Sequence, residues 1–509
     1  MYPLVNTIFS WYLRRRFEKI RMSVENPIRI QQDVLKDLLR TASYTVFGEQ
    51  YRFKSMADER EYAERVPLAD YEELKPYIDR ILHGEQNVLW PSEIRWFAKS
   101  SGTTSDKSKF IPVSYEALEE CHFRGGRDVL SIYCHNYPET RIFEGKGLLI
   151  GGSHEVNKFS EDTYFGDLSA VMMNNMPYWS TLLSTPGQEI ALMSDWEQKL
   201  EKMADAVMQE DVRSISGVPT WTMVLIKRIL EKKGTHNLME VWPNLELFIH
   251  GGVSFTPYRK QFEQLIPSEG MHYLETYNAS EGFIAIKDDP TRNDMLLMLD
   301  YGIYYEFVPL TELEKEHPQS LTLAQVNTGV TYALVISTNA GLWRYLIGDT
   351  VVFTSLHPFR IQIAGRTKSY INTFGEELMV HNSDQAIAAA CEATGGRVRE
   401  YTAGPIFLTT DHKGGHEWYI EFEKMPDSTH AFMDLLDSHL KACNSDYEAK
   451  RAGDLALEAP SLMICSEGTF YRWLKQKEKL GGQHKVPRLS NNRKILEELQ
   501  VLLQEEKPR

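Results

Sequence analysis

Four clusters along the chain combine residue types that can bind and activate a phosphorylated substrate. The first, Lys99-Ser-Ser-Gly-Thr-Thr-Ser-Asp-Lys-Ser-Lys109, packs six hydroxyl residues, one glycine and three lysines into eleven positions. Hydroxyls and exposed backbone N–H groups donate to phosphate oxygens, lysine supplies charge, and Gly102 lets the backbone approach a ligand closely. It is not a Walker loop, because GxxxxGK[ST] is absent. The second is Tyr277-Asn-Ala-Ser-Glu-Gly282, where a ring can stack on a purine and a carboxylate can hold Mg²⁺ on phosphates. Its serine is no nucleophile elbow, since Asn278 stands where GxSxG needs glycine. The third, Trp343-Arg-Tyr-Leu-Ile-Gly-Asp349, ends in an aspartate that can accept two hydrogen bonds from a ribose diol. The fourth, Gly481-Gly-Gln-His-Lys-Val-Pro-Arg488, places a single cation, Lys485, in a glycine-rich loop. Each alone also fits an ordinary turn. Their order carries the signal.

In that order the sequence resembles the GH3 family of acyl-acid amido synthetases, within the adenylate-forming superfamily. The family's SSGT[ST] motif is matched by Ser100, Ser101, Gly102, Thr103 and Thr104, and its YxxSE motif by Tyr277, Ser280 and Glu281. YRxGD is matched at Tyr345, Gly348 and Asp349, and the late GQ-aromatic-K-x-PR segment by Gly482, Gln483, Lys485, Pro487 and Arg488. Val66–Glu85 also looks like the family's approach to the first motif, and the resemblance runs from about residue 30 to 500. There are departures. Leu346 stands where the third motif often has arginine, with Arg344 nearby. The segment from Gly365 looks more like the hinge of the wider superfamily, which points to a microbial branch.

The resemblance implies an α/β body, residues 1–364, followed by a smaller mobile α+β lid, residues 365–509. It also implies a reaction. A carboxylic acid attacks the α-phosphate of ATP to give an acyl-adenylate and pyrophosphate. An amine, expected to be an amino acid, then displaces AMP. Ser100, Ser101, Thr103 and Thr104 are expected on the phosphates and Glu281 on Mg²⁺. Tyr277 is expected on adenine, Asp349 on ribose, and Gly251 and Gly252 along the adenine. Lys485 is expected to act during adenylation only, retracted by a swing at Arg366, Thr367 and Lys368, with Arg366 also expected at the cofactor. Arg127, on a helix expected over 115–133, is a candidate contact for the acid. Two other readings keep the residues and change the outcome: a thiol acceptor such as coenzyme A, or a nucleotide-binding regulator without turnover.

The elements that must hold these residues are partly legible. Asp70 and Glu73 form a capping box opening a helix over 71–83, in which Pro76 is expected to cause a kink or split. Strands are expected at 147–150, 245–250, 272–277 and 351–353, and helices at 195–209 and 219–232. The alternation in 319–343 reads as a hairpin of strands. After Gly365 come strands at 402–410, 417–423 and 462–470, a helix at 429–444, and a last helix from Asn491. The first helix is expected to pack on the body.

The chain has 509 residues and a net charge of −15, from 56 basic and 71 acidic side chains. So acidic a surface excludes general binding to nucleic acid and to anionic membranes, because both need a basic patch. Five cysteines, with no CxxC pair, point to a reducing cytoplasm. The 15 histidines show no metal-ligand spacing, so no metal beyond Mg²⁺ is expected. The expected partners are small molecules, with the chain a monomer or weak dimer.

Overall fold

A computed structural model describes residues 2–100, 109–151, 156–176, 181–193, 196–252, 255, 259–313, 315, 317–367, 370–376, 378–408, 413–454, 457–477 and 486–505. Its frame is a mixed sheet, twelve-stranded among the described residues. In spatial order it runs 321–322, 303–309, 331–338, 345–356, 359–366, 295–297, 282–286, 272–279, 247–251, 212–217, 146–149, 184–185. The last five strands are mutually parallel. The others pair antiparallel. Strands 96–100 and 109–113 belong to a second sheet with 164–166 and 157–158.

The sheet divides two apolar cores. Leu247 belongs to the first and its neighbour Phe248 to the second, as alternation along a strand requires. The first core gathers side chains from the helices before residue 143 and the strands of 274–361. The second joins 148–271 to the C-terminal unit, from Ile371 to Leu489.

The first helix, Tyr2–Glu25, packs on the body as expected, burying Leu13 and Ile20. Arg16 makes a 2.8 Å pair with Asp128, and Ser131 donates to the Leu13 carbonyl. Helix Tyr71–Leu82 opens with the expected capping box but is neither split nor ended by Pro76. That proline sits in its second turn, and buried Leu74, Ile78 and Ile81 hold the following turns against the core. The expected 319–343 hairpin does not form. Strands 321–322 and 331–338 both exist, but they flank 303–309 instead of pairing with each other. A short helical turn, Leu323–Gln325, capped by Thr322, carries the chain across.

Beyond strand Phe359–Arg366, strands 397–406, 415–424 and 461–465 form a small sheet. Helix Thr429–Cys443 buries Phe432, Leu436 and Leu440. The expected strand 462–470 stops at Cys465, because Gly468 adopts φ +80° and starts helix Thr469–Gln476. No helix among the described residues is long and apolar enough to cross a membrane.

Candidate active site

In open α/β sheets, ligands bind outside the carboxyl ends of parallel strands. Here those ends carry the glycines picked out by sequence. Gly251 closes its strand opposite Thr276, and a Cβ added there would stand 2.4 Å from the Thr276 carbonyl oxygen. Gly252 follows at φ +80°, a conformation glycine adopts without strain. The two therefore bring bare backbone to the edge.

Strand His272–Ala279 turns through Ser280 and Glu281 alone into strand Gly282–Ile286. Glu281 is partly exposed at the tip of this turn. Tyr277, buried, donates its hydroxyl to Asp349 Oδ2 at 2.6 Å. This contact joins the second and third sequence motifs, 72 residues apart.

Asp349 lies in strand Tyr345–Leu356 and pairs across the sheet with Arg366. Gly348, at φ +93°, turns its carbonyl toward Thr367, which donates both its N–H (2.9 Å) and its hydroxyl (3.2 Å). The ribose candidate and two expected hinge residues thus form one local piece. Lys368 lies outside the described residues.

The first motif is described only at its feet. Ser100 and Lys109 are cross-strand partners, whereas Ser101, Gly102, Thr103 and Thr104 lie outside the described residues. Lys109 is buried and donates to the Tyr345 hydroxyl at 3.2 Å, with its ammonium over the rings of Tyr71 and Tyr345. The structure therefore brings the foot of the first motif to the third. Lys485 lies outside the described residues.

Two arginines find other employment. Arg344 does not substitute for the missing arginine at Leu346. Its guanidinium is buried against Glu306 at 2.9 Å and donates to the carbonyls of Ala63 and Val66 and to Ser320. Arg127 is 45% exposed, 3.8 Å from Glu119, and donates to the Glu119 carbonyl. That is a surface engagement.

Buried histidines border the edge. His250, just before Gly251, stacks on Phe255 at 4.1 Å, and burial, with Arg259 and Lys287 adding, lowers it to about 3. His122 is lowered by burial to about 4 and meets Asn278 Oδ1 at 3.2 Å. Lys199, lowered by burial to about 8, donates to the Gly151 carbonyl beyond strand 146–149. Sequence reasoning counted Lys109 only as one of three charges in the first cluster and gave His122 no role. Lys109 ends the first cluster, which was a usable signal; His122 lies in no motif.

Family models match along this frame: the GH3 family N-terminal domain over residues 16–271, the central domain over 296–366 and the C-terminal domain over 381–494. The chain belongs to the GH3 family. It is 22% identical to an indole-3-acetic acid-amido synthetase, GH3.3, of Arabidopsis thaliana, covering 92% of this chain and 90% of that one. It is 24% identical to a jasmonoyl–L-amino acid synthetase, GH3.5, of Oryza sativa subsp. japonica, covering 94% and 95%. The fold matches GH3.15 acyl acid amido synthetase in complex with 2,4-DB (TM-score 0.62, 17% identity, 97% and 96% covered). It also matches a 2-hydroxyisobutyryl-CoA ligase (TM-score 0.54, 13% identity, 95% and 93% covered). In this GH3 chain, as expected, a large α/β body precedes a smaller C-terminal unit.

Proposed function

We propose that this chain is an ATP-dependent acyl-acid amido synthetase. It joins a small-molecule carboxylic acid to an amine, an amino acid by preference, through an acyl-adenylate. The observation that carries this reading is the Tyr277–Asp349 hydrogen bond at the carboxyl edge of the parallel strands, within a GH3 chain.

In the first step a carboxylate oxygen bonds to the α-phosphorus of ATP and pyrophosphate leaves. In the second an amine nitrogen bonds to the acyl carbon and AMP leaves. The first step brings two anions together, so fixed donors and cations set its rate. Ser100, Ser101, Thr103 and Thr104, with the backbone at Gly102, donate to the phosphates. Tyr277 packs on adenine beside the bare backbone of Gly251 and Gly252, and Asp349 accepts from the ribose hydroxyls. Ser280 shapes the turn carrying Glu281. Lys485 neutralises charge at the reacting carboxylate and α-phosphate.

Glu281 fits a Mg²⁺ ligand. Its carboxylate, partly exposed at the tip of the turn, is the group that would hold the cation. Bound there, Mg²⁺ offsets phosphate charge.

Residues 1–364 form the body in this reading and 365–509 the lid, with Arg366–Lys368 as hinge. The Gly348–Thr367 hydrogen bonds fasten the body side of that hinge. Retraction of Lys485 then opens the space the amine needs.

The test is acid-dependent ATP–pyrophosphate exchange over an aryl and alkyl acid panel, then mass spectrometry with mixed amino acids. Exchange together with an N-acyl amino acid product is expected. A thioester formed in preference would reassign the acceptor. No acid-dependent exchange across the panel would sink the reading.

A further inference from the structure

The turn carrying Glu281 is held from behind by a device no motif contains. After strand Lys109–Val113, Ser114 caps the next helix, accepting the Ala117 N–H and donating to the Asn339 carbonyl. The helix begins with a wide, π-type turn, Ala117–His122, before continuing as Phe123–Asn136. Such a turn inserts a residue and re-aims the side chains that follow, and it recurs at functional sites.

Here it aims two successive residues at one cross-strand pair. Asn278 and Phe283 are partners, the second pair outward from the Ser280–Glu281 turn. Cys121 Sγ accepts the Phe283 N–H at 3.1 Å, and His122 Nδ1 meets Asn278 Oδ1 at 3.2 Å. Both residues are about 1% exposed. One strand of the hairpin is thus anchored through a side chain and the other through its backbone.

The surroundings leave no slack. A Cβ on Gly125 would stand 2.4 Å from the Phe283 ring, and one on Gly282 would stand 2.5 Å from Ile303 Cδ1. Tyr277 and Asn278 are successive strand residues on opposite faces, so Tyr277 reaches Asp349 while Asn278 is gripped by His122.

We propose that Cys121 and His122 clamp the hairpin so that Glu281 stands at a fixed height over the nucleotide phosphates, making His122 a positioning residue for adenylation. This rests on the reading of Glu281 as the Mg²⁺ ligand. The contact fixes the Nδ1–H tautomer, and burial keeps the ring neutral above pH 5, so the clamp works by hydrogen bonding.

The experiment measures exchange by the full-length chain against Mg²⁺ and ATP concentration, and separately amide formation from a supplied acyl-adenylate. His122→Phe and Asn278→Leu should each raise the Mg²⁺ and ATP requirements about tenfold, the effect of one buried hydrogen bond. The double variant should be no worse than either single one, because both remove the same contact. His122→Gln, which restores a donor, should return to within about threefold. Amide formation from the supplied acyl-adenylate should stay within about twofold of wild type, since it needs no phosphate grip. If His122→Phe does not fold, Asn278→Leu must show the same split. Unchanged requirements, additive effects, or equal losses in both half-reactions overturn the clamp. Wild-type protein without exchange fails the functional reading itself, whereas active wild type with indifferent variants fails the clamp alone.

Discussion

At Tyr277 the hydroxyl holds Asp349, while the ring is the part proposed to pack on adenine. Tyr277→Phe keeps the ring and frees the carboxylate, so the KM for ATP should rise about five- to tenfold with kcat little changed. Asp349→Ala removes the proposed ribose acceptor and should cost ten- to about a hundredfold in kcat/KM for ATP in the exchange assay. The buried histidines set a pH response. His122 and His250 are held near 4 and 3 in the folded chain. Unfolded, they take up protons near pH 6.5, so the unfolded state binds more protons between those values. The stability they contribute is complete above about pH 7 and is lost as pH falls through 6.5 toward 4. At pH 5 the loss is roughly 2 kcal/mol for each histidine. Urea unfolding at pH 7 and pH 5 should show it, and His122→Gln should remove about half of the difference.

Among the elements, the segment around Arg344 shows where sequence reasoning reached its limit. Residue types told which positions could touch phosphate, purine and ribose, because hydroxyls, an aromatic ring and carboxylates announce their chemistry locally. They could not tell that Arg344 turns inward to Glu306, since that partner lies 38 residues away and is chosen by strand register. The same holds for strands 321–322 and 331–338: alternation marks each as a strand, but pairing to 303–309 is a tertiary choice. The π-type turn was illegible, because one inserted residue leaves the apolar periodicity nearly intact. Arg344→Leu tests the buried pair. It strands the Glu306 carboxylate, so stability should fall by about 3–5 kcal/mol in urea unfolding. Gly251→Ala should destabilise by about 1–3 kcal/mol and weaken exchange as well, because the added methyl meets the Thr276 carbonyl at the working edge.

For the molecule as a whole, the C-terminal unit rests, among the described residues, on one part of the body. Its apolar residues share a core with 148–271, Gln261 donates to the Leu408 carbonyl, and the Lys450 ammonium lies 4.3 Å over the Trp221 ring. Trp221→Ala should loosen this seat and raise the rate of limited proteolysis near 366–370, while an unchanged cleavage rate would show that the contact contributes little. Lys485→Ala should abolish exchange and spare amide formation from a supplied acyl-adenylate. Equal loss in both assays would contradict the separation of roles. The sheet between the two cores has a further consequence. Tyr277 is seated in the first core and Phe248, three residues before Gly251, in the second, so the working edge is secured by both and owned by neither. Such an edge behaves as a logical conjunction. Softening on either side is enough to silence it, so on heating, turnover should vanish while most of the secondary structure is still in place.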